Sequence, residues 1–224
     1  METIFKNLLD NYGIMIVVIM LVVATAVYVA KILKDVRRSK NYDAIAAKMG
    51  LNKLPSMQDL AVLYGDKVAN IFTGFEKKVI ARYGGLPGSS LSGEFFCTQT
   101  KTKVIRTVYS QDYVCGKVGV KAKDVKGIDK TEYDVVLFKT GSKSIPEFNL
   151  NFEALVGSNS NSEQNEAYSK YLNNETLEII RNIPAVSVCS TGNALMFYSD
   201  AYAVKDMRQF IQNASKAAEL IIKA

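Results

Sequence analysis

Hydrophobic and polar positions divide the chain into an unbroken apolar run, a short helical stretch, a long β-patterned middle and an amphipathic end. From Ile14 to Ala30 there are 17 residues without a charge, and continuing past Lys31 to Leu33 gives 20. That is about 30 Å of helix, enough to cross a bilayer core. Next, Tyr42, Ile45, Ala46 and Met49 recur at i, i+3, i+4 and i+7 before Gly50, which predicts a helical connector with one apolar face. Pro55-Ser56, with Asp59 three residues after the serine, reads as a variant capping box for a short helix carrying Leu60, Leu63 and Tyr64 up to Gly65.

The period then changes to two. Glu94 to Thr98 and Lys103 to Tyr109 alternate as strands do, and Asp134 to Phe138 is a β-rich run. Between them, residues 112 to 132 hold Lys117, Lys121, Lys123, Asp124 and Lys126 and predict a solvated loop. In Ile145 to Glu153, Phe148, Leu150 and Phe152 point one way and Glu147, Asn149, Asn151 and Glu153 the other, giving a half-buried strand. Pro146 lacks a backbone donor and marks its start or an edge position. The polar stretch 157 to 165 reads as a loop, and Asn174 as the cap of a helix reaching Ile180. Residues 185 to 190 and 194 to 198 flank Thr191-Gly192-Asn193 as a hairpin would. From about Val204, the stripe Met207, Phe210, Ile211, Ala214, Ala217, Ala218 and Ile221 predicts a closing helix packed on the sheet.

These elements imply an α+β fold: an N-terminal transmembrane helix followed by one domain with an antiparallel sheet covered by helices. The expected division is a short extracytoplasmic N-terminus (1–13), the span (14–33), a basic flank and helical connector (34–64) and the globular domain (65–224). With 48% hydrophobic and 22% charged residues, 10 Phe and 12 Tyr, the remainder should fold.

Charge sets the orientation. Lys31, Lys34, Arg37, Arg38 and Lys40 follow the apolar run and only Lys6 precedes it, so the domain is expected in the cytoplasm, with the five cations at the membrane surface. A cleaved signal peptide, with Ala24-Thr25-Ala26 as its site, competes, but the acidic Glu2 and Asp10 and the basic cluster beyond favour a retained anchor. Ala26 and Ala30 have the small-xxx-small spacing that suits helix pairing, which leaves a homo-oligomer open. The net charge of +6 is mild and the cations are interspersed with acids, so nucleic acid is not an expected partner. Cys97, Cys115 and Cys189 are odd in number and widely spaced, which speaks against a disulfide scaffold.

The order of span, basic flank, strand pairs and the strand Ile-Pro-Glu-Phe-Asn-Leu-Asn-Phe-Glu resembles a group of uncharacterised bacterial single-pass membrane-anchored proteins with a Leu-Pro-x-Phe-x-Leu-x-Pro-Glu motif. Pro146, Phe148, Leu150 and Glu153 match it; Ile145 and Phe152 replace its leucine and second proline. The resemblance implies a bacterial inner-membrane protein and no particular activity.

The chain has no histidine, which removes His metal sites, Ser-His and Cys-His pairs and the commonest general base. Gly84 to Gly93 is rich in turn formers, but Glu94-Phe95-Phe96 follows where a phosphate loop needs Lys and Ser/Thr at a helix start. The sequence therefore names no catalytic, cofactor or metal residue. Its leading reading is a non-enzymatic protein-interaction or scaffolding module at the membrane. A lipid or small-ligand binding domain is the alternative, and a histidine-free hydrolase or transferase ranks third.

Overall fold

The computed structural model describes residues 2–86, 91–114, 117–141, 145–150, 171–201 and 203–224; the side chains of 2–14, Ile16, 31–40 and 110–121 lie outside the description. The elements in order are α1 (Glu2–Met49), β1 (Asn52–Lys53), β2 (Gln58–Asp59), α2 (Leu60–Tyr64), α3 (Asp66–Ala69), β3 (Glu76–Gly84), β4 (Gly93–Val114), β5 (Lys117–Lys139), β6 (Phe148–Leu150), α4 (Asn174–Arg181), β7 (Ser187–Ser190), β8 (Ala194–Asp200) and α5 (Met207–Lys223). The chain divides into two compact units, residues 1–44 and 45–224. The fold is α+β with an antiparallel sheet and helices.

The first unit is the body of α1. Among the described residues no helix is long and apolar enough to cross a membrane. The predicted span 14–33 lies partly outside them, as do the side chains of Lys31, Lys34, Arg37, Arg38 and Lys40, whose backbone belongs to α1. Within the described stretch, Met15, Val17 to Val23 and Val27 to Val29 are all exposed. The helix ends as expected at Gly50, whose φ of 70° permits the left-handed turn.

The second unit is an eight-stranded sheet in the order β1-β3-β4-β5-β8-β7-β6, with β2 also paired to β3 and every pairing antiparallel. β6 is the last strand in that order, so Pro146 stands beside an edge strand as its missing donor requires. On one face, α2, α3 and the turn after them pack Leu60, Val68, Ala69 and Phe72 against Val79, Phe96, Val135, Leu137, Cys189 and Met196. The alternation sends Phe95, Val136, Phe138 and Phe197 to the other face, where they are buried with α5 packed on β5 and α4 beside α5. The predicted stripe of α5 is buried along its length, together with Ser215 and Ile222. Each large aliphatic or aromatic residue so buried contributes about 1.5–3 kcal/mol.

Residues 112–132 correct the expected loop. β4 and β5 pair without a break from Gly93 opposite Phe138 to Val114 opposite Lys117. β3 leaves β4 at Lys101 and β8 leaves β5 at Tyr133, so beyond those points the hairpin continues as a two-stranded ribbon. The lysines read as loop residues stand on a strand because their backbones pair across the ribbon, which needs no apolar face. The caps also move: Asp59 and Asn173, rather than Ser56 and Asn174, accept the backbone N–H bonds that start α2 and α4. Residues 151–170, which include Phe152, Glu153 and the predicted 157–165 loop, and Cys115 lie outside the described residues.

Candidate functional site

A short α2 follows β2, and Gly65 turns the chain straight into α3, so the two helices meet at an angle over the sheet and leave a cleft beside them. The cleft has a volume of about 470 Å³. Leu63, Val68, Leu137 and Ala194 supply apolar walls, and Tyr64, Asp66, Lys67, Lys139, Thr191 and Asn193 supply polar groups. Thr191 and Asn193 come from the turn between β7 and β8, the hairpin read from sequence. Lys67 bonds Glu147 at 2.5 Å, with both side chains largely in water, so the pair contributes little to stability.

Beside the cleft, Tyr64 belongs to a compact polar cluster. Arg82 on β3 grips Glu94 on β4 with two bonds, Nε to Oε2 at 2.7 Å and an Nη to Oε1 at 3.0 Å. The Tyr64 hydroxyl donates to Glu94 Oε2 at 2.7 Å and accepts from Arg82 Nε at 3.0 Å. The tyrosine ring stacks on Phe96 at 4.6 Å, with the Arg82 guanidinium 5.4 Å from its centroid. Arg82 and Glu94 are only 17% and 16% exposed, so this pair is shielded where the Lys67–Glu147 pair is not.

The electrostatics fix each partner in one protonation state. Burial, and then the bond to Glu94, push the Tyr64 hydroxyl far above its usual value. Burial alone would raise the Glu94 carboxyl, but the bonds from Arg82 and Tyr64 and the charges of Arg82 and Lys139 outweigh it and hold it below the carboxylate range. Arg82 is raised, first by its bond to Glu94. None of the three titrates near neutrality, so the cluster positions α2 on the sheet and offers no proton-transfer group.

The two described cysteines are sequestered. Cys97 and Cys189 are buried and reduced, and burial pushes the Cys189 thiol up to about 12, as expected for small hydrophobes rather than nucleophiles. No group of three or more Cys, Asp or Glu residues suited to a metal occurs among the described residues.

Sequence reading brought Tyr64 forward only as an apolar helix position and missed Arg82, which lies on the unpredicted β3. Glu94 was read as a strand opener. The signal available was alternation, because Glu94 shares the face of Phe96, where an acid needs a partner. The α5 stripe is buried on one face of the sheet, and the cleft lies on the opposite face, beside α2 and α3. Compared with known proteins, the chain matches no family model, no curated protein and no solved structure.

Proposed function

We propose that the chain is a membrane-anchored, non-enzymatic interaction module whose cleft receives a protein partner at the cytoplasmic surface of a bacterial inner membrane. One contrast carries this reading. Among the described residues, Tyr64, Arg82 and Glu94 are bound to one another and Cys97 and Cys189 are buried, whereas the open surfaces expose apolar side chains. Anchorage is supported by the uncovered run Val17 to Val29 on α1 and by Thr25, whose hydroxyl donates back to the Leu21 carbonyl at 2.7 Å and so needs no outside partner. Lys31, Lys34, Arg37, Arg38 and Lys40 supply the positive-inside signal, and the Pro146–Leu150 strand motif supports the bacterial assignment.

Reporter fusions at the C-terminus test the topology: fluorescence from a cytoplasm-dependent protein without activity from an export-dependent phosphatase is expected, and the reverse contradicts it. For the partner, a photo-crosslinking residue at Asn193, exposed on the cleft rim, should give one discrete adduct in intact membranes that Ala194→Trp abolishes. Repeated absence of any adduct contradicts the reading.

The size of the cleft favours a second reading, since about 470 Å³ falls in the range of small-molecule sites. Native mass spectrometry of the full chain released from detergent would then find a bound small molecule that Ala194→Trp excludes. A chain of bare polypeptide mass contradicts that reading.

A further inference from the structure

Among the described residues, the ribbon beyond the sheet has two open strand edges and no helix layer, and isolated two-stranded ribbons are marginally stable in water. It nevertheless exposes Ile105, Val108, Tyr109, Val125 and Ile128. These apolar residues are interleaved with cations on both faces. Lys103 lies opposite Ile128 and Ile105 opposite Lys126 on one face; Arg106 lies opposite Val125 and Val108 opposite Lys123 on the other.

The charge is equally localised. Residues 102–130 hold seven Lys/Arg against three Asp/Glu, an excess of four, and residues 40–224 as a whole hold 23 against 19, also an excess of four. The ribbon thus accounts for the domain's positive balance. Its two described acids are already engaged, Asp129 by Arg106 and Asp124 by the Thr107 hydroxyl, whereas Lys103, Lys123, Lys126 and Lys130 face solvent.

We infer that the ribbon lies on the anionic headgroup surface of the bilayer, a step that rests on the anchored reading above. Lysines along open strands repel a second ribbon of the same charge and oppose edge-to-edge pairing with another copy. A nucleic-acid surface would satisfy the cations and leave the aliphatic side chains uncovered. A headgroup layer satisfies both, because lysine stems and the tyrosine ring seat at the interface while ammonium groups meet lipid phosphates. Each cation near such a surface raises partitioning about fivefold. A chain already held at that membrane meets it at high effective concentration.

The chain contains no tryptophan, so single reporters read cleanly. Tyr109→Trp on the ribbon and Val23→Trp in the apolar run are placed separately in the full chain and reconstituted into phosphatidylcholine vesicles with or without phosphatidylglycerol, using brominated lipids as quenchers. The expected result is Val23→Trp quenched in both vesicle types, and Tyr109→Trp blue-shifted and quenched only with phosphatidylglycerol. That second signal is lost in high salt and in a background of Lys103→Glu, Lys123→Glu and Lys126→Glu. Quenching at Val23→Trp with none at Tyr109→Trp in anionic vesicles overturns the ribbon inference and leaves the anchor standing. Quenching at Tyr109→Trp alone supports the ribbon contact and overturns the anchor. Quenching at neither overturns both. A Tyr109→Trp shift that grows with protein concentration without quenching assigns the ribbon to a second copy, and one produced equally by poly-glutamate or duplex DNA assigns it to a soluble polyanion; either overturns the inference.

Discussion

The root and the projecting half of the β4–β5 hairpin belong to the same two strands and keep one register, yet their side chains live in different solvents. At the root, Phe96, Val135 and Phe138 are fully buried between β3, β8 and the helix layers. Past Lys101 and Tyr133 those neighbours stop, and Ile105 and Tyr109 are 69% and 71% exposed. Backbone pairing is therefore enough to continue a strand, while burial depends on what lies beside and above it. The same division separates structural from available chemistry. The Tyr64–Arg82–Glu94 cluster sits at the root and is satisfied internally; Lys103, Lys123, Lys126 and Lys130 of the ribbon face solvent.

Truncations at the two ends should differ most. Phe96→Ala removes a ring stacked on Tyr64 in the core and should cost about 3–5 kcal/mol in denaturant unfolding. Ile105→Ala should change stability by under about 0.5 kcal/mol, as at surface sites without special contacts. Comparable losses at both positions would mean that the ribbon is covered within the chain.

Next in size is the cluster. Arg82→Met leaves Glu94 half-buried without its bidentate donor and should cost about 1.5–3 kcal/mol. Burial works against the Glu94 charge, but the Arg82 and Tyr64 bonds win and place its folded pKa below the unfolded value. Its stabilisation is thus complete above the ordinary carboxylate range, near pH 4.3, and is lost as pH falls through the lowered folded value. Arg82→Met should flatten that acid limb, and an unchanged acid limb would show that other carboxylates set it.

Tyr64→Phe should cost about 1 kcal/mol for the lost hydroxyl bonds. Because the Tyr64 pKa is raised, chiefly by burial, its contribution is present below the unfolded value near 10 and is lost as pH rises beyond it. The variant should therefore soften alkaline unfolding. Only part of that limb should vanish, since burial also raises Tyr133 and Tyr198.

Where one face meets a core, the sequence displayed the structure. The α5 stripe, the Glu94–Thr98 and Asp134–Phe138 runs, and the hairpin around Gly192 each repeat at their own period because burial enforces it. β3 stayed hidden because a bulge between Val79 and Ala81 breaks its alternation and Lys77-Lys78 masks its start. On the ribbon the Lys103–Tyr109 alternation was visible, but the returning strand within 112–132 stayed hidden for the opposite reason: with no core on either face among the described residues, Lys123 and Lys126 fall on opposite sides and no apolar period survives. The cleft could not be read locally, since Leu63, Leu137 and Asn193 come from three distant segments. Arg82 and Glu94 lie 12 residues apart on neighbouring strands, so their bond follows from a register that turn residues alone did not fix.

The most direct test of the contrast between root and ribbon is hydrogen exchange of the full chain, followed by mass spectrometry in detergent and in vesicles containing phosphatidylglycerol. Amides of 94–100 and 132–138 should exchange slowly in both, at the rate of global opening. Amides of 102–109 and 122–129 should exchange quickly in detergent and become protected on the anionic vesicles. Strong protection of the ribbon in detergent, unchanged by lipid, would contradict a ribbon that depends on the membrane surface for its cover.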